Sequence, residues 1–207
     1  MRGKYLFFYD DIHGGIKSVE LILRTVNQEF NIPMFKNKYY FEVTKFLRKG
    51  QYMYKYLVEG ILRLNDPKAE CYIVDSAGEV WSFLCVSEGL EGKCNKSKIN
   101  MNLKVKPLKK EYVYPIDRLI IYKVEVNECE GIHALTAIFY SGNGNVYQIN
   151  EVVLSPCIQL KVNLKEGRCN VGVWKLDIYL DGCKYTSEYF RVSHRIACGT
   201  NIINVKL

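Results

Sequence analysis

The chain is poor in several features that mark large protein classes. Its 207 residues include only five prolines, and its 16 tyrosines and nine phenylalanines favour ordered strands over a disordered chain. No apolar run approaches the roughly 20 residues that a membrane-spanning helix needs. The N-terminus also lacks the long apolar stretch and the small-residue cleavage site of a signal peptide. We therefore expect a cytoplasmic protein without a membrane partner.

Residues that commonly carry catalysis or bind metals are scattered. The eight cysteines form no C-x-x-C pair, so we expect most of these thiols to be reduced and buried rather than bound to zinc. The three histidines lie far apart, and none has a Ser, Cys or Asp in a catalytic arrangement. The sequence Asp10-Asp11-x-His13 runs into Gly14-Gly15, which predicts a loop better than a metal site. We predict no enzyme, no cofactor and no metal.

Positive charge is concentrated in one segment. The net charge is +7, and residues 91–110 hold seven lysines against one glutamate, which is +6 and leaves +1 for the other 187 residues. Such a segment could contact phosphates, but its interleaved side chains are aliphatic and not the aromatics that stack on bases. A solvated linker with one strand in it, at Asn102–Val105, is the preferred interpretation, and weak contact with nucleic acid stays open as an alternative.

Period-two alternation of apolar and polar residues predicts seven short strands in the first half of the chain. They are Lys4–Tyr9, Lys17–Arg24, Tyr39–Phe46, Gln51–Val58, Ile61–Leu64, Cys71–Val74 and Glu79–Val86. Residues 20–29 also fit one helical stretch, although the β-branched Ile22, Thr25 and Val26 disfavour it. Short strands at regular spacing predict an all-β fold of two antiparallel, immunoglobulin-like sandwich domains.

A second series of strands follows in the other half. Its predicted members are Arg118–Val126, His133–Tyr140, Val146–Leu154, Ile158–Leu164, Val173–Leu180 and Lys184–Val192. Hairpin turns are expected at Gly142-Asn143-Gly144 and Asp181-Gly182. The lysine-rich stretch between the series predicts a domain of residues 1–88, a linker of 89–106 and a second domain of 107–207. A last strand at Ile202–Leu207 is placed to pair with a partner or with a second copy in a homodimer.

The segment Gln51–Pro67 is the most informative part of the chain. It predicts a hairpin that reverses at Glu59-Gly60, where the glycine supplies a positive φ. The hairpin follows an early strand at residues 19–23 and a loop at 27–33, and it precedes a turn at Gly78. In this order the pieces resemble the glycogen-binding module, family 48 of the carbohydrate-binding modules, over about residues 5–87. The resemblance implies an early-set, immunoglobulin-like β-sandwich, and residues 107–192 resemble such a sandwich in more general terms.

The same resemblance implies where a glucan would bind. In that family, exposed aromatic rings pack on the C–H groups of glucose, and a few polar side chains take its hydroxyls. The corresponding positions here are Phe30, Lys55, Ile61, Leu62, Trp81 and Ser82. Lys55 matches the family's outward lysine, but it is also interpretable as a solvated strand residue. Trp81 is either a core or inter-domain aromatic or a relocated sugar platform.

Two of these positions favour a different partner. Ile61 and Leu62 stand where the family has an aromatic residue, and with Leu57 they predict an apolar patch near Lys55. An apolar patch in water favours a protein as the partner. We therefore predict a non-catalytic binding or adaptor protein that engages a protein through this face, with α-glucan binding as the alternative.

Overall fold

A computed structural model of the chain describes residues 2–11, 14–86, 102–127, 131–164, 171–198 and 201–204. The chain divides into two compact units. The strands up to Val86 build the first unit, and the strands from Leu103 onward build the second. Eighteen strands and no helix occur in the described residues, which confirms the predicted all-β class. Within that part of the chain, no helix is therefore long and apolar enough to cross a membrane.

The first unit contains a three-stranded and a six-stranded sheet. The nine strands are β1 (Arg2–Asp10), β2 (Val19–Arg24), β3 (Glu29–Pro33), β4 (Phe35–Lys36), β5 (Tyr40–Arg48), β6 (Gly50–Val58), β7 (Leu62–Leu64), β8 (Cys71–Val74) and β9 (Val80–Val86). The three-stranded sheet has the order β1-β5-β4, and the six-stranded sheet has the order β3-β2-β6-β9-β8 with β7 paired to β6. All of their pairings are antiparallel.

Aromatic side chains join the two sheets of the first unit. The ring of Phe7 in β1 packs edge-on against Tyr54 in β6, with 5.1 Å between centroids. Tyr9 packs in the same way against Tyr56 at 5.2 Å. Tyr54, Tyr56 and Val58 are buried, as period-two alternation along β6 predicts. The outer surfaces of the first unit that are described below lie on the two sheets that this core joins.

The predicted hairpin at Glu59-Gly60 is confirmed. Both residues have positive φ, 55° and 68°, which is the geometry of the two-residue turns that suit twisted antiparallel strands. Val58 pairs with Leu62 and Tyr56 with Leu64, so β7 returns directly along β6. The turn therefore sets the register of the strand that leads into Asn65-Asp66.

Residues 20–36 depart from the sequence-based prediction. The helical alternative for residues 20–29 is wrong, because β2 ends at Arg24 and the chain turns at Thr25, whose amide donates to the Gln28 carbonyl. Two strands, β3 and β4, were not predicted in this stretch. Most of their side chains are exposed, so they lack the clear alternation between buried and exposed residues that reveals a strand.

The second unit repeats the combination of a three-stranded and a six-stranded sheet. The strands are β10 (Leu103–Pro107), β11 (Glu111–Tyr114), β12 (Leu119–Val126), β13 (Ala134–Tyr140), β14 (Val146–Val153), β15 (Cys157–Asn163), β16 (Gly172–Leu180), β17 (Cys183–Cys198) and β18 (Asn201–Asn204). The smaller sheet has the order β10-β12-β15, and the larger has the order β11-β17-β16-β13-β14 with β18 paired to β17. The pairing of β11 with β17 is parallel.

The core of the second unit forms around β16. Trp174, Leu176 and Ile178 are fully buried, as their shared strand face predicts. The Trp174 ring packs against Tyr147 at 4.7 Å and against Phe190 at 5.8 Å between centroids. The predicted hairpin at Asp181-Gly182 is also confirmed, since both residues have positive φ and Leu180 pairs with Cys183. Lys175 and Asp177 consequently point to the opposite face of the sheet.

Three expectations need correction in part. The strand expected at Asn102–Val105 is present as β10, but it pairs with β12, so residues 103–106 belong to the second unit and not to a linker, while residues 89–101 lie outside the described residues. The last strand begins at Asn201, and its described part pairs with β17 of the same chain. Of the cysteines whose burial the structure describes, none is buried, since Cys85, Cys157 and Cys183 are exposed and Cys71 is half-buried.

Candidate functional site

The predicted site residues of the first unit do not form one surface. Phe30 pairs with the buried Leu23, and Ser82 pairs with the buried Tyr54, so both lie on the core side of the sheet. Leu62 pairs with the buried Val58 and lies on the same side. Lys55, Leu57 and Trp81 lie on the opposite, outer side, and Ile61 projects from the turn with more than half of its surface exposed.

Lys55 does not face solvent, and the expectation of an outward lysine is wrong. Its side chain is fully buried although it lies on the outer side of the sheet. The ammonium donates a hydrogen bond to Glu79 Oε1 at 2.9 Å and lies 5.2 Å from the centroid of the Trp81 ring. A buried ammonium is stable when it is paired in this way. Lys55 is thus committed to intramolecular contacts and is not on the surface for a ligand.

Trp81 is covered by two arginines. The guanidinium carbons of Arg24 and Arg63 each lie 5.2 Å from the centroid of the indole ring, and the residue has no exposed surface. The indole N–H donates to Asp75 Oδ2 at 3.2 Å. The alternative in which this ring presents an open face to a sugar is therefore wrong, because its surface is already occupied by cations.

The cover over Trp81 is balanced in charge. Three carboxylates, Glu29, Asp75 and Glu79, face the three cations Arg24, Lys55 and Arg63. We call these six side chains the arginine layer. Burial favours a higher pKa for Asp75, but backbone hydrogen bonds from Glu79 and Ala77 and the Arg24 guanidinium outweigh it and hold the pKa below its usual value. The layer is thus a charge-balanced set of ion pairs over an apolar ring, in which Arg63 lies 3.7 Å from Glu29 and 3.8 Å from Glu79 without a hydrogen bond to either.

Ser82 belongs to a buried polar network. Its hydroxyl accepts a hydrogen bond from the Asp66 amide at 2.7 Å and donates to Asn65 Oδ1 at 3.3 Å. The Asp66 carboxylate accepts from the hydroxyls of Tyr54 and Tyr56 at 2.9 and 3.3 Å. These hydrogen bonds connect the turn after β7 to the core strands. Ser82 therefore has a structural role and is not accessible to a ligand.

A different surface of the first unit is open and apolar. Leu6, Phe35 and Phe46 expose 60%, 69% and 64% of their surface. They share the outer side of the three-stranded sheet, because Leu6 pairs with Thr44, Phe35 pairs with Glu42, and residues two apart in a strand share a face. We call the surface formed by Leu6, Phe8, Phe35 and Phe46 the Leu6 face.

The Leu6 face combines large apolar side chains with charged ones. The Phe8 ring stacks on Tyr40 with 4.5 Å between centroids and an angle of 29°. The Lys68 ammonium lies 4.7 Å from the Phe8 centroid and pairs with Asp10 at 2.7 Å. Glu42 of the central strand lies between Phe8 and Phe35 and accepts a hydrogen bond from the side-chain amide of Asn37. Such a mixture of apolar and polar groups is common in protein interfaces.

Four lysines of the lysine-rich segment lie in the described residues, and two of them lie near a carboxylate. Lys106 lies 3.9 Å from Glu125, and Lys109 pairs with Asp117 at 2.5 Å. The hydrogen bond from Lys109 holds the pKa of Asp117 below its usual value. Lys104 and Lys110 are exposed, and Lys93, Lys96 and Lys98 lie outside the described residues. Contact with nucleic acid through this segment stays a prediction.

Comparisons with known proteins do not assign a family. No family model matches the chain, and no curated protein matches it. A maltogenic amylase from S. marinus aligns with 92% of this chain and 28% of its own, at 14% identity and a TM-score of 0.36. Dimeric latent PorU from Porphyromonas gingivalis aligns with 92% of this chain and 18% of its own, at 10% identity and a TM-score of 0.33. The chain thus spans under a third of either protein, and likenesses of this size carry no argument about ligand or activity.

Proposed function

We propose that the chain is a non-catalytic binding protein whose partner is another protein, held on the Leu6 face. The observation that carries this proposal is the exposure of Leu6, Phe35 and Phe46 by more than half on one sheet face. Large apolar side chains grouped in water are unfavourable, so they are retained where a partner covers them.

The patch would supply the apolar part of such an interface. A phenylalanine presents about 150–250 Å² in total, so Leu6, Phe35 and Phe46 together expose roughly 300 Å². Covering that area would contribute about 7 kcal/mol at 25 cal/mol per Å², against a cost of association of about 4–15 kcal/mol. The remaining binding energy would have to come from neighbouring contacts, for which Lys4 and Glu42 are placed beside the apolar residues.

The α-glucan alternative is less well supported. The aromatic and polar groups that the family resemblance assigns to sugar binding are Trp81, Lys55 and Ser82, and all three are buried and engaged with neighbouring side chains. Phe30 is partly exposed, but it lies on the opposite side of the sheet from Lys55 and Trp81. A glucan would therefore meet isolated aromatic residues and no group of hydrogen-bonding side chains at the predicted positions.

Site-specific photocrosslinking tests the proposal. A benzophenone amino acid is placed at position 46 in the full chain, and the matched control carries it at position 26. Val26 is 91% exposed but lies in a turn away from the Leu6 face. In the cells that make the protein, we expect a discrete protein adduct from position 46 and none from position 26.

A second substitution keeps the result interpretable. Phe35→Ser should reduce the adduct from position 46 several-fold, because it removes apolar contact area without disturbing the buried core. Thermal unfolding should confirm that this variant is folded. Adducts of equal yield from positions 46 and 26 would contradict the proposal. An adduct with a second copy of the chain would show that the Leu6 face forms a homodimer and does not bind a different protein.

A further inference from the structure

A row of three side chains crosses the outer side of the large sheet in the second unit. Tyr140 of β13 pairs with Lys175 of β16, and Lys175 pairs with Tyr189 of β17. The row faces away from the core, since the neighbouring Trp174 and Leu176 are fully buried on the other side. Strands in a sheet lie about 4.8 Å apart, so the two tyrosines flank the lysine at about 5 Å on each side.

Lys175 is held in a fixed position within this row. Its ammonium pairs with Asp177 Oδ2 at 2.8 Å and lies 5.2 Å from the centroid of the Tyr140 ring. Lys184 also pairs with Asp177, at 3.1 Å, and the Ser187 hydroxyl donates to the same carboxylate at 2.7 Å. Two ammonium groups therefore share one carboxylate, and one positive charge remains uncompensated in this cluster.

The exposed charge of the cluster is positive. The side chain of Asp177 is only 3% exposed, while those of Lys175 and Lys184 are 33% and 45% exposed. Arg191 lies further along β17, opposite Glu111 of β11, and takes no part in the cluster around Asp177. A ligand that approaches the row meets ammonium groups and not the carboxylate beneath them.

Tyr189 supplies an open ring beside these ammonium groups. The residue is 63% exposed, and the adjoining Val173 is 54% exposed, so a flat apolar surface lies at the end of the row. The face of Tyr140, in contrast, is covered by Lys175. The surface thus combines one free aromatic face with a preorganised cation in the next strand.

We propose that this row binds a saccharide chain that carries carboxylate groups. The C–H face of a sugar ring packs on the Tyr189 ring, and the carboxylate of the same or the next sugar pairs with Lys175. Charge complementarity selects an acidic saccharide, because Lys175 and Lys184 share the single carboxylate of Asp177 and a sugar carboxylate would neutralise the positive charge that remains. The phenol groups of Tyr140 and Tyr189 and the Lys184 ammonium would form hydrogen bonds with hydroxyl groups of the saccharide.

Single-stranded nucleic acid also combines rings with negative charge, but it fits this surface less well. Proteins that bind it present several aromatic faces on which successive bases stack. Here the Tyr189 face is open, whereas Lys175 occupies the face of Tyr140. One ring beside one cation matches a sugar acid better than a run of stacked bases.

Affinity electrophoresis of the full chain through gels that contain polygalacturonate tests the proposal. At about 20 mM salt we expect clear retardation, with little in glycogen gels. Tyr189→Ala should lower the affinity about fivefold or more through loss of stacking. Lys175→Gln should lower it about tenfold, and this difference should shrink as salt rises. Matched unfolding temperatures would show that both variants are folded.

The control variant separates this inference from the proposed function. Phe46→Ser alters the Leu6 face and should bind polygalacturonate as the unaltered chain does. Absence of retardation, or unchanged affinity of Tyr189→Ala, would overturn the inference. Retardation by glycogen that Tyr189→Ala abolishes would contradict the requirement for an acidic sugar. Tighter binding of single-stranded DNA that depends on Tyr189 would assign the row to nucleic acid instead.

Discussion

Replacing Asp66 by alanine is expected to destabilise the first unit by about 3 kcal/mol. The Asp66 carboxylate accepts hydrogen bonds from the buried hydroxyls of Tyr54 and Tyr56 and from the Lys68 amide. Removing the acceptor of a buried donor costs about 1–3 kcal/mol for each group. Burial, together with the charge of Asp66, raises the pKa of Tyr54 well above its ordinary value, so this phenol stays a donor at any physiological pH.

The two tryptophans of the chain allow each unit to be followed separately. Trp81 lies in the first unit and Trp174 in the second. In a Trp174→Phe background, urea unfolding monitored by fluorescence reports the first unit through Trp81. Tyr54→Phe is the matched control and should cost about 1 kcal/mol, because it removes one donor and leaves the carboxylate in place. A loss below about 1 kcal/mol for Asp66→Ala would contradict the network as described.

Replacing Glu79 by alanine is expected to cost the first unit about 2 kcal/mol. Glu79 accepts the hydrogen bond of the fully buried Lys55 at 2.9 Å, and loss of one partner of a buried pair costs about 3–5 kcal/mol. We expect less here because the Glu79 side chain is 30% exposed and water screens the pair. The same fluorescence assay measures this change.

A double-mutant cycle separates the interaction between Lys55 and Glu79 from destabilisation that each substitution causes by itself. Lys55→Met combined with Glu79→Ala should be more stable than Glu79→Ala alone, because the double variant no longer buries a positive charge. Glu29→Ala is the control, since this carboxylate is 43% exposed and lies 3.7 Å from Arg63, and it should cost under about 0.5 kcal/mol. Strictly additive losses from Lys55→Met and Glu79→Ala would contradict the pairing.

The strands of both units follow from local sequence where one face alternates cleanly. β6 and β16 were predicted to within a residue, and each is followed by a turn whose residues require positive φ. β3 and β4 were not predicted because their side chains are mostly exposed on a sheet edge. β11 pairs in parallel with a strand about 80 residues later, and no local pattern signals such a pairing.

The predicted site was less accurate than the fold, for a reason visible at Lys55. Alternation placed this lysine on the outer side of the sheet, and that placement is correct. Its ammonium is held between Glu79 and the Trp81 ring, and the long side chains of Arg24 and Arg63 cover the same ring from neighbouring strands. Whether side chains of neighbouring strands bury a residue depends on the strand register and on the direction of those side chains. Neither can be predicted from the sequence of β6 alone.

The Leu6 face was not predicted because its strand is apolar on both sides. The run Tyr5-Leu6-Phe7-Phe8-Tyr9 has no charged residue to mark the solvent side. The sequence therefore predicts a strand here, but it does not show which side of the strand faces the core and which faces solvent. The register with β5 resolves this, since Phe7 and Phe41 are buried while Leu6 and Phe46 are exposed. A strand with two apolar sides is itself a sequence signal for a second contact surface.

Hydroxyl-radical footprinting of the native complex tests most directly whether the Leu6 face is the binding surface. The oxidation rates of Phe35 and Phe46 are compared between the purified chain and the chain bound to the protein captured at position 46. Phe30 and Tyr189 serve as internal references, because both are exposed on other surfaces. We predict that the rates of Phe35 and Phe46 fall several-fold on binding while those of the references stay constant. Unchanged oxidation of Phe35 and Phe46 in the complex would contradict the claim.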